Sequence, residues 1–184
     1  MKFWSRATVV ALLLGLCGAS LWGSRVEREA GLWFLPSEPV TLYFGTEDAS
    51  GVAKEVRWLP KAADTLEEHV EALVAALIDG PRSPHLVASI PRGTELRSVR
   101  VDADLITLDF SAEIAANHPG GSAGELTTVY SVVNTLTEVE GIRRVQWLVD
   151  GRVVESLAGH MDLSRPIVRN EELIVEPGAA RVTD

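Results

Sequence analysis

Residues 40–79 read VTLYFGTEDASGVAKEVRWLPKAADTLEEHVEALVAALID, and a change of period inside this stretch decides the class of fold. Val40 to Phe44 form a β-branched and aromatic run between Pro39 and Gly45, and Glu55 to Leu59 form a second run stopped by Pro60. Both predict strands. Beyond them the spacing changes. Leu66, Val70, Leu73, Val74, Leu77 and Ile78 recur three and four residues apart, so they line one face of a helix. Asp64 or Thr65 can cap its start, with Glu67 or Glu68 three residues on completing a capping box. Gly80-Pro81 ends it, because proline has no N–H with which to continue the ladder.

Outward from that stretch, a loop holding Pro84, Pro91, Arg92 and Gly93 leads to two short runs at residues 95–101 and 105–110, which flank the polar turn Asp102-Ala103-Asp104. This pattern predicts an antiparallel hairpin. The loop Asn117-His118-Pro119-Gly120-Gly121 then opens a second helix, with Leu126, Val129, Tyr130, Val133 and Leu136 on one side and an end by Gly141. Ser122 and Glu125 have the spacing of another capping box. Val145, Trp147 and Val149 alternate with their neighbours, and Asp150-Gly151 is a two-residue turn into Arg152-Val153-Val154. The order strand, strand, helix, hairpin, helix, hairpin predicts an α+β domain of two layers, with two helices packed on one face of a mixed or antiparallel sheet. Its expected span is residues 40–169, between a tether at 26–39 and a polar tail at 170–184.

Ahead of the tether the chain begins Met1-Lys2-Phe3-Trp4-Ser5-Arg6 and continues as an uncharged run over residues 7–23. A helix over that run rises about 26 Å at about 1.5 Å per residue, slightly short of a hydrocarbon core of roughly 30 Å. Lys2 and Arg6 precede the run, and the mixed signs of Arg25, Glu27, Arg28 and Glu29 follow it. That asymmetry places the N-terminus inside and the domain on the extracytoplasmic side of the cell membrane. Three fates fit residues 1–25. They are a retained anchor with Trp4 and Trp22 near the interfaces, a signal peptide cleaved near Cys17-Gly18-Ala19 to give a secreted form, and a lipoprotein signal with Cys17 as the lipidation site. Cys17 is the one cysteine, so no internal disulfide can form.

Those 25 residues hold three of the 17 basic residues and none of the 26 acids, so the body keeps 14 bases against all 26 acids. Nucleic acid is excluded as a partner, because binding it requires a basic surface that displaces counterions from phosphates. An anionic lipid surface likewise opposes the net charge of the body.

Chemistry-bearing constellations are sparse. His69, His85, His118 and His160 stand alone, and Glu67-Glu68-His69 lacks the second histidine of a zinc-protease helix, so no metal and no cofactor are expected. Gly120-Gly121-Ser122-Ala123-Gly124 reads as a loop and helix start rather than a nucleophile elbow, and it has no lysine for a phosphate loop. Asp109 and Glu113 are the carboxylates that a hydrolytic reading would use. Asp102, Asp104, Glu138 and Glu140 read as a solvated acidic face.

Four blocks stand in order along the chain: Leu77-Ile78-Asp79-Gly80-Pro81, Ile90-Pro91-Arg92-Gly93-Thr94-Glu95-Leu96, Leu108-Asp109-Phe110-Ser111 and Val133-Asn134-Thr135-Leu136-Thr137-Glu138, with Val149-Asp150-Gly151, Gly159 and Pro166 following. As an ordered set covering residues 40–169 they resemble the GerMN domain, the sporulation and spore-germination domain of bacterial envelope proteins. Gly80, Pro81, Pro91, Gly93, Asp109, Ser111, Thr135, Leu136, Asp150 and Gly151 are the positions that carry the resemblance. Each also has a local structural reading: Gly80-Pro81 as a helix stop, residues 91–94 as a turn, and Asp109 and Ser111 as hydrogen-bonding partners of loop backbone. The resemblance implies a non-enzymatic module for envelope binding or assembly in sporulation or germination. Its expected partners are envelope or membrane proteins, with self-association through an exposed sheet edge as a further route. An extracellular cell-wall hydrolase or wall-binding module is the alternative. The chain departs from the family pattern in the bulky Leu16 of its lipobox and in holding one copy of the domain where some relatives have two.

Overall fold

The computed structural model describes residues 36–61 and 65–176. Residues 1–25 with Cys17, and residues 177–184, lie outside the described residues, as does most of the segment expected to be a tether. Two compact units divide at Pro36 and Ser37, and the second is the folded domain considered from here on.

Strand β1 (Ser37–Thr46) turns through residues 47–51 into β2 (Val52–Pro60), with which it pairs antiparallel along its length. Helix α1 (Leu66–Ile78) follows, and its capping box is made by Thr65 and Glu68 as the spacing predicts. A short strand β3 (Leu86–Val87) adds to β1 only at Gly45 and Thr46. Then come β4 (Leu96–Asp102) and β5 (Leu105–Phe110) in an antiparallel hairpin, the single turn α2 (Glu113–Ala116), and the longer α3 (Ser122–Leu136). Strands β6 (Arg144–Val149) and β7 (Arg152–Val153) form the second expected hairpin. At its turn Asp150 and Gly151 both have positive φ, 49° and 76°, as a tight two-residue turn of matching twist requires. A last strand, β8 (Ile167–Val168), pairs with β6.

The α+β class is as expected, and the strands divide between two sheets, β2-β1-β3 and β4-β5-β6-β7. A physical cause lies on β1. Its free edge at Tyr43 is taken by a helix, because the Tyr43 N–H donates to Thr135 Oγ1 of α3 at 3.0 Å. In the second sheet β5 and β6 run parallel, which the intervening α2 and α3 allow by carrying the chain back across the sheet. α3 packs on β1 and reaches β6, α1 packs on β4 and β1, and the two helices touch each other.

The core is drawn from both sheets and both long helices. Leu42 and Phe44, Leu73 and Leu77, Ile106, Leu108 and Phe110, Val133 and Leu136, and Trp147 are all buried in it. Phe110 and Trp147 stack with ring centroids 5.2 Å apart. Among the described residues every member of this core lies between Val40 and Leu163, so the unit beginning at Ser37 holds a hydrophobic interior of its own and meets the usual condition for folding alone.

Three sequence expectations are corrected. The first strand starts at Ser37, inside the stretch read as tether, because Ser37, Glu38 and Pro39 find partners in Pro60, Leu59 and Trp58. Residues 170–176, read as the start of a polar tail outside the domain, are seated on it: Asn170 caps a 3-10 turn at Glu171–Leu173, Ile174 bridges to Val52, and Val175 N donates to Val52 O at 2.9 Å. The second capping box does not form. Gly121 is the N-cap of α3 without a side-chain bond, and Glu125 turns inward instead.

Candidate functional site

The positions singled out from the sequence gather at three places rather than one. At the carboxyl ends of β5 and β6, Asp109 Oδ1 accepts the Gly151 N–H at 2.8 Å, and Asp150 N donates to Phe110 O at 2.9 Å. Arg97 lies between the two acids, 3.0 Å from Asp150 and 3.6 Å from Asp109. Ser111 and Glu95 exchange two bonds, Ser111 N to Glu95 O at 2.9 Å and Glu95 N to Ser111 Oγ at 3.0 Å. A hydrogen bond from Ser111 holds the exposed Glu113 carboxyl below its ordinary value. Pro91 and Gly93 shape the turn beside this cluster: Thr94 N donates to Pro91 O, and Asn117 Nδ2 donates to Arg92 O at 2.9 Å.

Gly80 and Pro81 sit elsewhere, at the carboxyl end of α1. Helix ends leave carbonyls without intrahelical donors, and this one has no basic residue in its last turn. Arg57 of β2 supplies the donors from outside. It is only 4% exposed, and its guanidinium donates to Ala76 O at 3.1 Å and Gly80 O at 2.9 Å while pairing with Glu55. Glu55 in turn accepts Arg82 N and Ser83 N, each at 2.8 Å. Burial pushes the Glu55 carboxyl up, but the Ser83 N–H and Arg57 outweigh it, and the net shift is downward.

The third place surrounds the end of α3. Asn134 and Asn170 bond reciprocally, Asn134 Nδ2 to Asn170 O at 3.0 Å and Asn170 N to Asn134 Oδ1 at 3.1 Å. Tyr43 OH donates to Glu138 Oε1 at 2.7 Å. Arg169 reaches the same oxygen at 2.8 Å and the Tyr43 hydroxyl at 2.7 Å, with its guanidinium carbon 5.2 Å from the Tyr43 ring centroid. Burial and the bond to Glu138 push the Tyr43 phenol up to about 12. Thr135 serves β1, and Leu136 is fully buried. Glu138, read as solvated, is exposed and also tied to two partners.

Glu125 is one of the residues whose role the sequence reading missed. Fully buried, it takes Ser156 Oγ–H and Leu157 N–H at 2.7 Å and Ala158 N–H at 3.0 Å on one oxygen, and His160 N–H at 2.7 Å on the other. Burial raises its pKa, these donors lower it further than that, and the carboxyl stays below its ordinary value. An acid so fully hydrogen-bonded as an anion is a weak base, so its contact with Ser156 does not activate that hydroxyl. Nearby, Gly120 N donates to His118 Nδ1 at 3.0 Å, and Thr128 gives its proton to Ser89 O. The ring must then carry its proton on Nε2, facing Thr128 Oγ1 at 3.1 Å. Burial holds His118 below its ordinary value, opposed by Glu125.

Among the described residues no group of three or more His, Cys, Asp or Glu is placed to hold a metal ion, and no helix is long and apolar enough to cross a membrane. A family model described as Germane, sporulation and spore germination, matches residues 41–155. The chain belongs to this family. No curated protein matches it. Among solved structures, a candidate lipoprotein from Clostridium perfringens is similar over 72% of this chain and 87% of that one, at 29% identity and a TM-score of 0.54. The tandem GerMN domains of the sporulation protein GerM from Bacillus subtilis match over 76% of this chain and 48% of theirs, at 20% identity and a TM-score of 0.60. The first of those domains alone matches over 72% and 98%, at 20% identity and a TM-score of 0.56; at this identity both likenesses show the fold. One Germane domain here thus corresponds to about half of the tandem.

Within this Germane domain the ordered blocks are joints. The first closes α1 over Arg57, the second and third lock β4 to β5, and the fourth ties α3 to β1 and to residues 169–170. The missed partners, Arg57, Glu125 and Arg169, lie outside those blocks. A charged residue within an alternating strand was the one sequence signal that could have marked Arg57.

Proposed function

We propose that this Germane domain is a non-enzymatic binding and assembly module of the cell envelope, displayed on the extracytoplasmic side and serving sporulation or germination. The family match over residues 41–155 carries the reading. Its envelope setting is supported by the likeness to a candidate lipoprotein along 87% of that chain and by the apolar leader at residues 7–23. The non-enzymatic part is supported by the use to which the family positions are put. Asp109, Ser111 and Thr135 each spend a side-chain oxygen on a backbone N–H of the domain itself. Such oxygens are committed to holding strands and turns, and their chemistry is positional rather than reactive. The full-length chain, cross-linked in cells of its source organism and purified from the envelope fraction, should carry one or more envelope proteins. Turnover of peptidoglycan by purified residues 36–184, abolished by Asp109→Asn or Glu113→Gln, would sink the reading.

A further inference from the structure

A groove of about 550 Å3 runs between α1 and the start of β4, walled by a stripe of the helix from Glu71 to Asp79 and by the consecutive residues Thr94 to Ser98. Side chains along a strand alternate between its faces, so a wall of consecutive residues follows the edge of the chain and not one face. That edge is open. Among the described residues β4 ends its sheet and pairs only with β5. Ala75, Ile78 and Leu96 give the groove an apolar lining, and Glu71, Asp79 and Glu95 stand exposed around it. No hydrogen bond or ion pair reaches any of these three carboxylates among the described residues. Asp79 also stands at the carboxyl end of α1, where the helix dipole is itself negative. Arg97, at the bulge between Leu96 and Ser98, is the one base in the wall, and Asp150 at 3.0 Å and Asp109 at 3.6 Å already answer its charge. Thr94 adds an independent sign. It is 4% exposed, and its Oγ1 is buried without a hydrogen-bond partner, although a buried hydroxyl is ordinarily paired because it has given up its bonds to water. The acidic hollow beside Glu38 and Glu138 differs, since His69 stands 3.3 Å from the first and Arg169 2.8 Å from the second.

We propose that this groove takes an extended segment of a partner protein carrying a lysine or arginine, with the segment's backbone pairing along the open edge of β4 from Ser98 onward. The alkyl stem of the basic side chain lies on Ala75, Ile78 and Leu96, and its cation stands among Glu71, Asp79 and Glu95. An N–H of the bound segment gives Thr94 Oγ1 the partner it lacks. Strand addition supplies affinity through main-chain bonds, and a pocket beside the edge supplies selection of side chains. A free amine would answer the carboxylates and leave the edge unused, so a peptide is the better occupant. The inference rests on the reading of the domain as a binding module and names the groove and the class of segment it binds.

The probe is a soluble peptide of alternating lysine and valine, blocked at both ends, added to isotope-labelled residues 36–184 and followed by NMR. The expected results are saturable shifts centred on residues 71–79 and 94–102, slower amide exchange along β4, and contacts between peptide and β4 α-protons. Glutamate in place of lysine should abolish binding, and methylation of alternate peptide nitrogens should weaken it about tenfold. A Glu71→Gln, Asp79→Asn variant with an unchanged melting curve should bind about fivefold to tenfold more weakly. Thr94→Val should lose about fivefold without any fall in Tm, because its hydroxyl has no native bond to give up. The proposal is overturned by absence of saturable binding, by shifts centred on Glu38, Glu138 and Glu140, or by full affinity in the double variant. Equal affinity for the methylated peptide or for N-acetyl-lysine methylamide overturns it too, as does protection of β4 that grows with protein concentration without peptide, which assigns the edge to a second copy. Failure of the underlying reading is separate: the full-length chain cross-linked in cells would then recover no envelope protein. Recovery of the same envelope proteins by wild type and by the double variant keeps that reading and removes the groove from it.

Discussion

A single carboxylate, Glu125, fixes residues 156–160 through four donors. Bonds to a charged acceptor are worth about 1.5–3 kcal/mol each, and removal leaves buried donors unmatched. Glu125→Gln keeps the shape but sets an amide N–H against backbone N–H groups, so urea melts at neutral pH should show a loss of about 2–3 kcal/mol. The pH dependence has a definite sign. Because Glu125 is held below its ordinary 4.5, its contribution is complete above that value and is lost as pH falls through the native one. The gap between wild type and Glu125→Gln should narrow in melts taken at falling pH. Tyr43 acts at the other end of the scale. Its phenol is raised from 10.0 to about 12, so stability is lost as pH rises across that window, and Tyr43→Phe should flatten the alkaline limb of a pH melt. Neither role was legible locally. Glu125 follows Ser122 at the spacing of a capping box, and only contacts 31–35 positions away reveal the clamp. Thr65 and Glu68 have the same spacing and do form the box, so local pattern alone cannot separate the two cases.

Among the elements, the helices and hairpins were readable because each obeys one period. The stripe from Val70 to Leu77 is buried as its spacing requires. Leu73→Ala should cost about 2–5 kcal/mol in urea melts, and Leu73→Asp should leave circular dichroism without a cooperative transition, since an unpaired charge cannot be buried there. The distribution of strands between two sheets was not readable, because order along the chain does not say which edge a strand will find. The β1 edge is taken by Thr135, a contact that leaves no pattern in either segment. One close approach shows how tightly the last segment is seated. A Cβ at Gly51 would stand 2.2 Å from Leu173 O, closer than any real contact, so Gly51→Ala must displace the 3-10 turn. Limited proteolysis of that variant should cut near residues 169–174 well before the wild type is cut there.

At the scale of the molecule, the charge imbalance and the hydrophobic core of the described residues set the frame, and both could be read from composition and spacing. The closing of the fold could not. Arg169 bonds Tyr43 across 126 positions, and Ile174 bridges to Val52, so residues 169–174 cover the hairpin of β1 and β2. A chain ended at Val168 should lose about 3 kcal/mol or more, as charged bonds at Tyr43, Glu138 and Asn134 disappear, and its urea midpoint should fall accordingly. This closure also sets a sequence in time. A growing polypeptide lays down the hairpin of residues 37–60 long before the arginine that will clasp it exists, so these two strands wait in an unfinished state until residues 169–174 have been made.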